Sequence, residues 1–165
     1  KLLAPKMPNI LVLTTPSTAM TRAGTAIMDT ETRHRLELFD PDFSVYPLGA
    51  PDVEATLRAF LRNGGILRLA LHDTIYIERA CPRFLGIVRY YRERVECRRS
   101  PRSLRHLSDS FALADGLHVV RRFHCDHMRG EAAFDNPAAV ELPAYRFEAL
   151  WEESGPTLPP TVTGL

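Results

Sequence analysis

The chain has 165 residues, of which 45% are hydrophobic and 25% charged, and this composition is typical of one soluble globular domain. Its 21 basic and 20 acidic residues give a net charge of +1, which excludes a whole-molecule field that would hold it on nucleic acid or an anionic membrane. No apolar run is long enough to cross a bilayer and no secretion signal is recognisable, so we expect a cytoplasmic protein with no membrane partner.

The first half of the chain predicts alternating strands and helices. Residues 1–32 are expected to form a poorly ordered N-terminal extension, because prolines interrupt them and only residues 9–14 have the apolar character of a short strand. Four elements are then predicted: a strand at 36–39, a helix at 53–61 capped by Asp52, a strand at 66–71, and a helix within 75–94 that starts or kinks at Pro82. The apolar run at 66–71 is typical of a strand covered on both faces.

The second half predicts a hairpin and a long terminal helix. Strands are expected at 95–98, 111–114 and 117–123, the last two joined as a hairpin around Asp115 and Gly116. Residues 137–153 have the spacing of a helix, and residues 155–165 form a Pro-rich tail that is ordered only if it docks. This order predicts one α/β domain over residues 33–154, with a mixed β-sheet flanked by helices.

The segment from Ser108 to Gly116 carries the most informative motif. It has serine at positions 108 and 110, then an apolar strand, and it ends in Asp115-Gly116. This pattern resembles the signature of the phospholipase D superfamily, in which His-x-Lys, four further residues and Asp-Gly lie on a strand that runs into a turn. The order of elements over residues 33–154 is similar to a phospholipase D-like half-domain. It is also similar to uncharacterised bacterial domains that are sometimes fused to acetyltransferase-like modules.

The resemblance implies that the catalytic pair has been lost. In that superfamily the histidine attacks phosphorus and the lysine stabilises the negative oxygens, and Ser108 and Ser110 stand at these two positions. Serine supplies neither function at neutral pH without a base, so we predict no catalytic residue and favour a non-catalytic binding or interaction module over an enzyme. The resemblance also implies a homodimer that pairs through the motif face.

Hydroxyl, imidazole and guanidinium groups can hold an anion without attacking it. We therefore predict a residual pocket for a small anion such as phosphate, with no cofactor. The candidate residues lie on or near the motif: His106, Ser108, Ser110, Asp115, Arg121, Arg122 and His124. Because Arg121 and Arg122 are consecutive on a predicted strand, only one of them can face the pocket.

Three other features leave alternatives open. A hydrolase or transferase with rebuilt chemistry would use His106, His124 or Cys125. Residues 124–127 offer metal-ligating groups, with His72 and His118 as remote contributors, but adjacent ligands in a strand or turn generally point apart. We therefore predict no metal site there and expect a turn or the start of a helix.

The stretch 79–105 contains nine arginines and only two glutamates. This excess favours surface ion pairs with the acidic stretch 131–153 over a nucleic-acid partner.

Overall fold

The computed structural model describes residues 9–13 and 34–158, and there the fold is built on one mixed β-sheet. Its eight strands are β1 (Asn9–Leu13), β2 (Arg35–Asp40), β3 (Ile66–Leu71), β4 (Val95–Arg99), β5 (Ser110–Ala114), β6 (His118–His124), β7 (His127–Phe134) and β8 (Gly155–Thr157). Their order across the sheet is β1-β7-β6-β5-β2-β3-β4-β8. Strands β2, β3 and β4 run parallel to one another, and the other neighbours pair antiparallel.

Helices cover both faces of this sheet. In the described part of the chain they are α1 (Pro51–Arg62), α2 (Ile75–Ala80), α3 (Pro82–Tyr90) and α4 (Pro137–Glu153). The apolar sides of α1, α2 and α3 pack on one face, in a core that contains Leu57, Ile77 and Ile87. Helix α4 packs on the other face, where Phe147 and Trp151 belong to a second core. The predicted class, a mixed sheet flanked by helices, is confirmed.

The local rules used on the sequence account for several element ends. Helix α2 ends at Ala80 and α3 begins at Pro82, because proline has no backbone N–H with which to continue a helix. After α1 the chain turns at Gly64, whose φ of 99° lies in the left-handed region that glycine adopts without strain. In β3, Leu69 faces the first core and Ala70 the second, so this strand is covered on both faces as predicted.

One helix cap differs from the expectation, and one was not predicted. Ala50 is the N-cap of α1 and Pro51 opens the helix, so Asp52 lies in the first turn and does not cap it. Proline is favoured at that first position because its φ is already helical and no hydrogen bond is lost. The N-cap of α4 is Asn136, whose side-chain oxygen accepts a hydrogen bond from the Ala139 amide at 3.1 Å.

Two strands were not predicted, β7 and β8. Strand β1, expected from the apolar residues 9–14, pairs with β7. The sequence did not indicate β7, because small residues such as Gly130 and Ala132 hide the alternation of this strand. Strand β8 forms from the first residues of the expected tail and pairs with β4, and Leu158 beyond it is buried. The rest of the predicted N-terminal extension and of the tail lies outside the described residues. None of the helices described here is long and apolar enough to cross a bilayer.

Candidate functional site

The sheet separates the candidate residues into two groups. Strands β5 and β6 pair so that Ser110 lies opposite Arg122 and Phe111 lies opposite Arg121. Phe111 belongs to the core under α4, whereas Ala112, one residue on, belongs to the core under α1, α2 and α3. Since side chains alternate along a strand, Arg121 is on the α4 side and Arg122 is on the opposite side.

An open pocket of about 330 Å³ lies on the α4 side, and we call it the α4-side pocket. Its lining comes from the loop before β5, from β6 and from α4: His106, Leu107, Ser108, Asp109, Arg121, Phe123 and Arg146. The fold therefore brings together three of the candidates, His106, Ser108 and Arg121. The sequence did not indicate Phe123 or Arg146 as lining residues, and Arg146 stood out only as the single base in the acidic stretch 131–153.

The two arginines of the α4-side pocket are engaged to different degrees. Both terminal nitrogens of Arg146 donate hydrogen bonds to the carboxylate of Asp109, at 2.6 and 3.0 Å, so the positive charge of Arg146 is compensated. Arg121 makes one ion pair, with Glu131 at 3.4 Å, and its guanidinium lies 5.2 Å from the ring centre of Phe123. The planar fork of an arginine offers five N–H donors, so Arg121 keeps donors for an incoming anion.

Two further side chains of the pocket can contribute hydrogen bonds. The ring of His106 uses Nδ1 to donate to the carbonyl oxygen of Ser103 at 2.8 Å, which leaves its Nε2 available. The hydroxyl of Ser108 makes no hydrogen bond to any part of the chain that the structure describes, and this residue is half-buried. The pocket thus presents a guanidinium, a hydroxyl and an imidazole within one opening.

On the opposite side of the sheet, Ser110 and Arg122 belong to a closed group with Asp40 and Tyr46, which we call the buried cluster. Arg122 donates from Nε to the Ser110 hydroxyl and from Nη2 to Asp40 Oδ2, both at 3.1 Å. Asp40 is 0% and Arg122 is 2% exposed. Nη1 of Arg122 and the Tyr46 hydroxyl are also buried, without a hydrogen bond to any described residue.

The buried cluster also fixes the chain at the end of β2. Asp40 Oδ1 accepts hydrogen bonds from the backbone amides of Asp42 and Phe43, at 3.0 and 2.6 Å. Burial raises the pKa of Asp40 above its ordinary value, and these amides together with Arg122 act in the opposite direction. Burial likewise raises the pKa of Tyr46, and the nearby carboxylate of Asp40 adds to that effect. The positive charge nearest Ser110 is therefore taken up by an internal ion pair.

Asp115, which matches the end of the motif by resemblance, directly follows the other end of β5. Its Oδ1 accepts hydrogen bonds from the backbone amides of His34 and Arg35, at 3.0 and 2.7 Å. Five residues of extended strand separate it from Ser110, a distance of roughly 17 Å. Asp115 has a φ of 53° and turns the chain into β6, so its place is structural and outside the α4-side pocket.

A residue that the sequence did not single out for this region, His72, holds one wall of the pocket. It follows β3, is buried, and its Nε2 lies 2.8 Å from the carbonyl oxygen of Leu107, a lining residue. Donation from Nε2 to that carbonyl leaves Nδ1 as the acceptor for the hydroxyl of Ser100. His72 therefore ties the loop before β5 to the end of β3.

The remaining candidate, His124, lies at the turn between β6 and β7. This hairpin tip, which we define as residues 124–127, is a β-turn and not the start of a helix. It brings ligand atoms of His124, Cys125 and Asp126 within 4.8 Å of one another, so the expectation that adjacent groups point apart is wrong here. Burial raises the pKa of the Cys125 thiol, and the Asp126 carboxylate raises it further. His118, by contrast, lies at the far end of β6, where it accepts the Asp135 amide at 3.0 Å.

The arginine-rich stretch 79–105 is partly neutralised at the surface. Arg83 pairs with Glu54 at 3.4 Å, and Arg98 pairs with Glu96 at 2.7 Å. Arg98 also lies 4.5 Å from the ring centre of Trp151 and donates to its carbonyl oxygen. These arginines contribute to surface ion pairs and to packing against α4. Their ion-pair partners, Glu54 and Glu96, are not in the acidic stretch 131–153.

Comparisons with known proteins agree with this architecture. A family model described as "Domain of unknown function (DUF7931)" matches residues 17–158. No curated protein gives a significant match. Among solved structures, Nuc from Salmonella typhimurium, a phospholipase D family member, is 14% identical with a TM-score of 0.63, over 91% of this chain and 98% of that chain. NucT from Helicobacter pylori is 8% identical with a TM-score of 0.62, over 90% of this chain and 99% of that chain.

A third similar structure is TrmBL2, an archaeal chromatin protein described as showing a novel mode of DNA binding. It is 14% identical with a TM-score of 0.66, and the match covers 92% of this chain and 56% of that protein. At such identities the likeness concerns the fold. It confirms the phospholipase D-like fold that the motif and the order of elements predicted.

Proposed function

This chain belongs to the DUF7931 family and has a phospholipase D-like fold, and from that premise we propose that it is a non-catalytic module that binds a small anion. The ligand is phosphate or a phosphate ester, and the site is the α4-side pocket. One observation carries the proposal: Arg121, with donors to spare, faces an open pocket beside the Ser108 hydroxyl.

The α4-side pocket has the donors that such an anion requires. Arg121 can give two parallel N–H bonds to one phosphate, and bonds to a charged acceptor are roughly twice as strong as neutral ones. Ser108 adds an O–H donor, and His106 adds a further N–H when its ring is protonated. Phe123, which is 43% exposed, supports the guanidinium by stacking and offers apolar surface to an ester group.

The same geometry supports binding without hydrolysis. A serine nucleophile needs a base within hydrogen-bond reach, and Ser108 has no such partner in the described part of the chain. Ser110 is fully buried and accepts a hydrogen bond from Arg122, so it cannot reach a ligand in the pocket. The charge stabilisation that a phosphoryl transition state needs is also reduced, because Arg146 is held by Asp109.

The test is a thermal-shift titration of the full chain with phosphate, sulfate and a simple phosphodiester. A ligand that binds the folded state raises stability by RT ln(1 + [L]/Kd), about 2.7 kcal/mol at a hundredfold excess over Kd. We expect a saturable shift with phosphate that Arg121→Met and Ser108→Ala reduce. The control is Arg62→Met, an exposed arginine of α1 on the other side of the sheet. Equal shifts in all variants, or none, would contradict the proposal.

The second candidate is an enzyme with rebuilt chemistry, and the observation behind it is the contact between Cys125 Sγ and His124 Nδ1, at 3.8 Å. The raised pKa of Cys125 disfavours the thiolate that would attack a substrate. An assay with a chromogenic phosphodiester separates the two candidates. Turnover that is lost in both Cys125→Ala and His124→Ala would establish the enzyme, whereas phosphate binding without turnover supports the binding module.

Self-association through the same side is a further part of the proposal. Two large apolar side chains on the outer surface of α4 are exposed, Leu142 by 63% and Tyr145 by 74%. These two side chains are the contacts that we propose for self-association, since contiguous exposed apolar area marks interaction surfaces. Light scattering on the full chain is expected to show a dimer that Tyr145→Glu dissociates, and a monomer at all concentrations would overturn this part.

A further inference from the structure

The hairpin tip between β6 and β7 gathers four metal-ligating side chains within four consecutive residues. His124, Cys125 and Asp126 are joined by three short distances: Cys125 Sγ lies 3.8 Å from His124 Nδ1 and 3.7 Å from Asp126 Oδ1, and His124 Nδ1 lies 3.7 Å from Asp126 Oδ2. The ring of His127 is centred 5.4 Å from that of His124. The tip thus offers two imidazoles, a thiol and a carboxylate at one place.

These distances are close to those between ligand atoms of a zinc ion. Zinc binds sulfur at about 2.3 Å and imidazole nitrogen at about 2.0–2.1 Å, in a tetrahedral arrangement. Sulfur and nitrogen ligands of one tetrahedral ion are therefore roughly 3.5 Å apart. Asp126 meets the sulfur through Oδ1 and His124 Nδ1 through Oδ2, and one ligand atom from each of the three residues lies within 4.8 Å of the others, so these atoms must draw together by roughly 1 Å to share one ion.

The hydrogen bonds of the tip fix the tautomer of His124 and the position of the turn. The backbone amide of Asp126 donates to His124 Nδ1 at 3.1 Å, so this nitrogen carries the lone pair and its proton is on Nε2. The Cys125 amide donates to the carbonyl oxygen of Ser108 at 2.6 Å, which anchors the turn to the loop before β5. The described neighbours of the tip therefore hold it in place while its side chains remain partly exposed.

We propose that the hairpin tip is a zinc site, with His124, Cys125 and Asp126 as ligands and His127 as the fourth. On binding, the Cys125 thiol gives its proton to solvent and the sulfur becomes a thiolate ligand. The ion displaces the hydrogen bond that the Asp126 amide makes to His124 Nδ1. A donor set of one sulfur, two nitrogens and one oxygen matches the borderline softness of Zn²⁺ and disfavours Mg²⁺ and Ca²⁺.

The experiment is a titration of the metal-free full chain with Co²⁺, followed by displacement with Zn²⁺. We expect one equivalent of Co²⁺ to give the visible absorption of a tetrahedral ion together with a thiolate-to-cobalt band in the near ultraviolet. Excess Zn²⁺ should abolish both, and Mg²⁺ should have no effect. An absorption spectrum of hexa-aquo Co²⁺ only, at all ratios, would overturn the proposal.

Variants locate the ion. Loss of an inner ligand should cost more than the roughly 10- to 100-fold in affinity that loss of an outer partner costs, so Cys125→Ser and His124→Ala should bind Zn²⁺ much more weakly. Cys125→Ser should also remove the thiolate band. Because the tip is a surface turn, circular dichroism should show both variants folded. The matched control is His34→Ala, an exposed histidine next to Asp115. Unchanged affinity in the two tip variants, or an equal loss in His34→Ala, would overturn the assignment.

Discussion

Arg121 and Arg122 are neighbours in the sequence, yet they lie in contrasting surroundings on opposite sides of one sheet. Arg122 is buried, paired with Asp40, and hydrogen-bonded to Ser110. Arg121 is partly exposed, pairs loosely with Glu131, and lines the α4-side pocket beside Ser108. The alternation of a β-strand places one arginine in the buried cluster and the other beside the open pocket.

Under the proposed function, the same difference gives the two serine positions of the motif different roles. Position 110, which corresponds by resemblance to a catalytic lysine, is now a serine in a sealed polar group. The positive charge nearest to this serine, on Arg122, is paired with Asp40 inside the fold. Position 108 is a serine in an open pocket whose arginine still has donors available. In the proposed function, Ser110 on β5 has a structural role, and Ser108 in the loop before β5 faces the ligand.

The largest effect is expected when the structural side is broken. Arg122→Met leaves Asp40 buried without its partner, and removing one member of a buried ion pair costs about 3–5 kcal/mol. Urea unfolding monitored by circular dichroism measures this loss. The control is Arg121→Met, which should change the free energy of unfolding by less than about 1 kcal/mol because its ion pair is exposed. Equal losses in the two variants would contradict the comparison.

A double variant sharpens the same point. Asp40→Asn combined with Arg122→Met removes both charges and keeps an oxygen that can accept the amides of Asp42 and Phe43. We expect the double variant to be more stable than Arg122→Met alone by about 0.5–3 kcal/mol, the range measured for coupled contacts. If the loss of stability in the double variant equals the sum of the losses in Asp40→Asn and Arg122→Met, the pair does not act as a unit.

The pH dependence of stability offers a smaller effect. Because burial raises the pKa of Asp40 above 3.8, its favourable contribution is present below that pH and is lost as the pH rises through its value in the folded state. The free energy of unfolding of the natural chain should therefore fall relative to that of the double variant as pH increases above about 4. Urea unfolding at a series of pH values tests this, and the opposite slope would contradict it.

The smallest effect on stability is expected on the pocket side. Asp109→Asn removes the negative charge from the paired contact with Arg146 and keeps one oxygen that can accept a hydrogen bond. Because the Arg146 side chain is 34% exposed, the loss should be about 1 kcal/mol. The same change frees the guanidinium of Arg146 toward the pocket, so phosphate should bind more tightly. Calorimetric titration with phosphate measures the gain. Weaker binding in this variant would mean that Asp109 itself helps to hold the ligand.

Much of the fold followed from the sequence because its signals are local. Pro82 interrupts a helical pattern, Gly64 ends α1, and the apolar run at 66–71 becomes a strand covered on both faces. Strand β7 was missed because Gly130 and Ala132 give no apolar alternation, and β8 forms only through pairing with β4. The position of β8 depends on β4, a partner that is distant in the sequence.

The site was harder to derive than the fold. The motif located Ser108 and Ser110 on one segment, and the rule that only one of Arg121 and Arg122 can face a pocket agrees with the structure. The separation of the two serines by the sheet was not visible, because the strand begins only at Ser110 and the loop before it follows a different path. Asp40 holds the turn after β2 through one oxygen, and its second oxygen pairs with Arg122, a residue 82 positions away that no local pattern connects to it.

The most direct measurement of the central claim is a phosphate titration followed by NMR of the arginine Nε–H groups. The side chains of Arg121 and Arg122 report separately on the two sides of the sheet. The account predicts a saturable shift of the Arg121 signal, reduced in Ser108→Ala, while the Arg122 signal stays unchanged. A shift centred on Arg122, or no shift at either arginine at saturating phosphate, would contradict it.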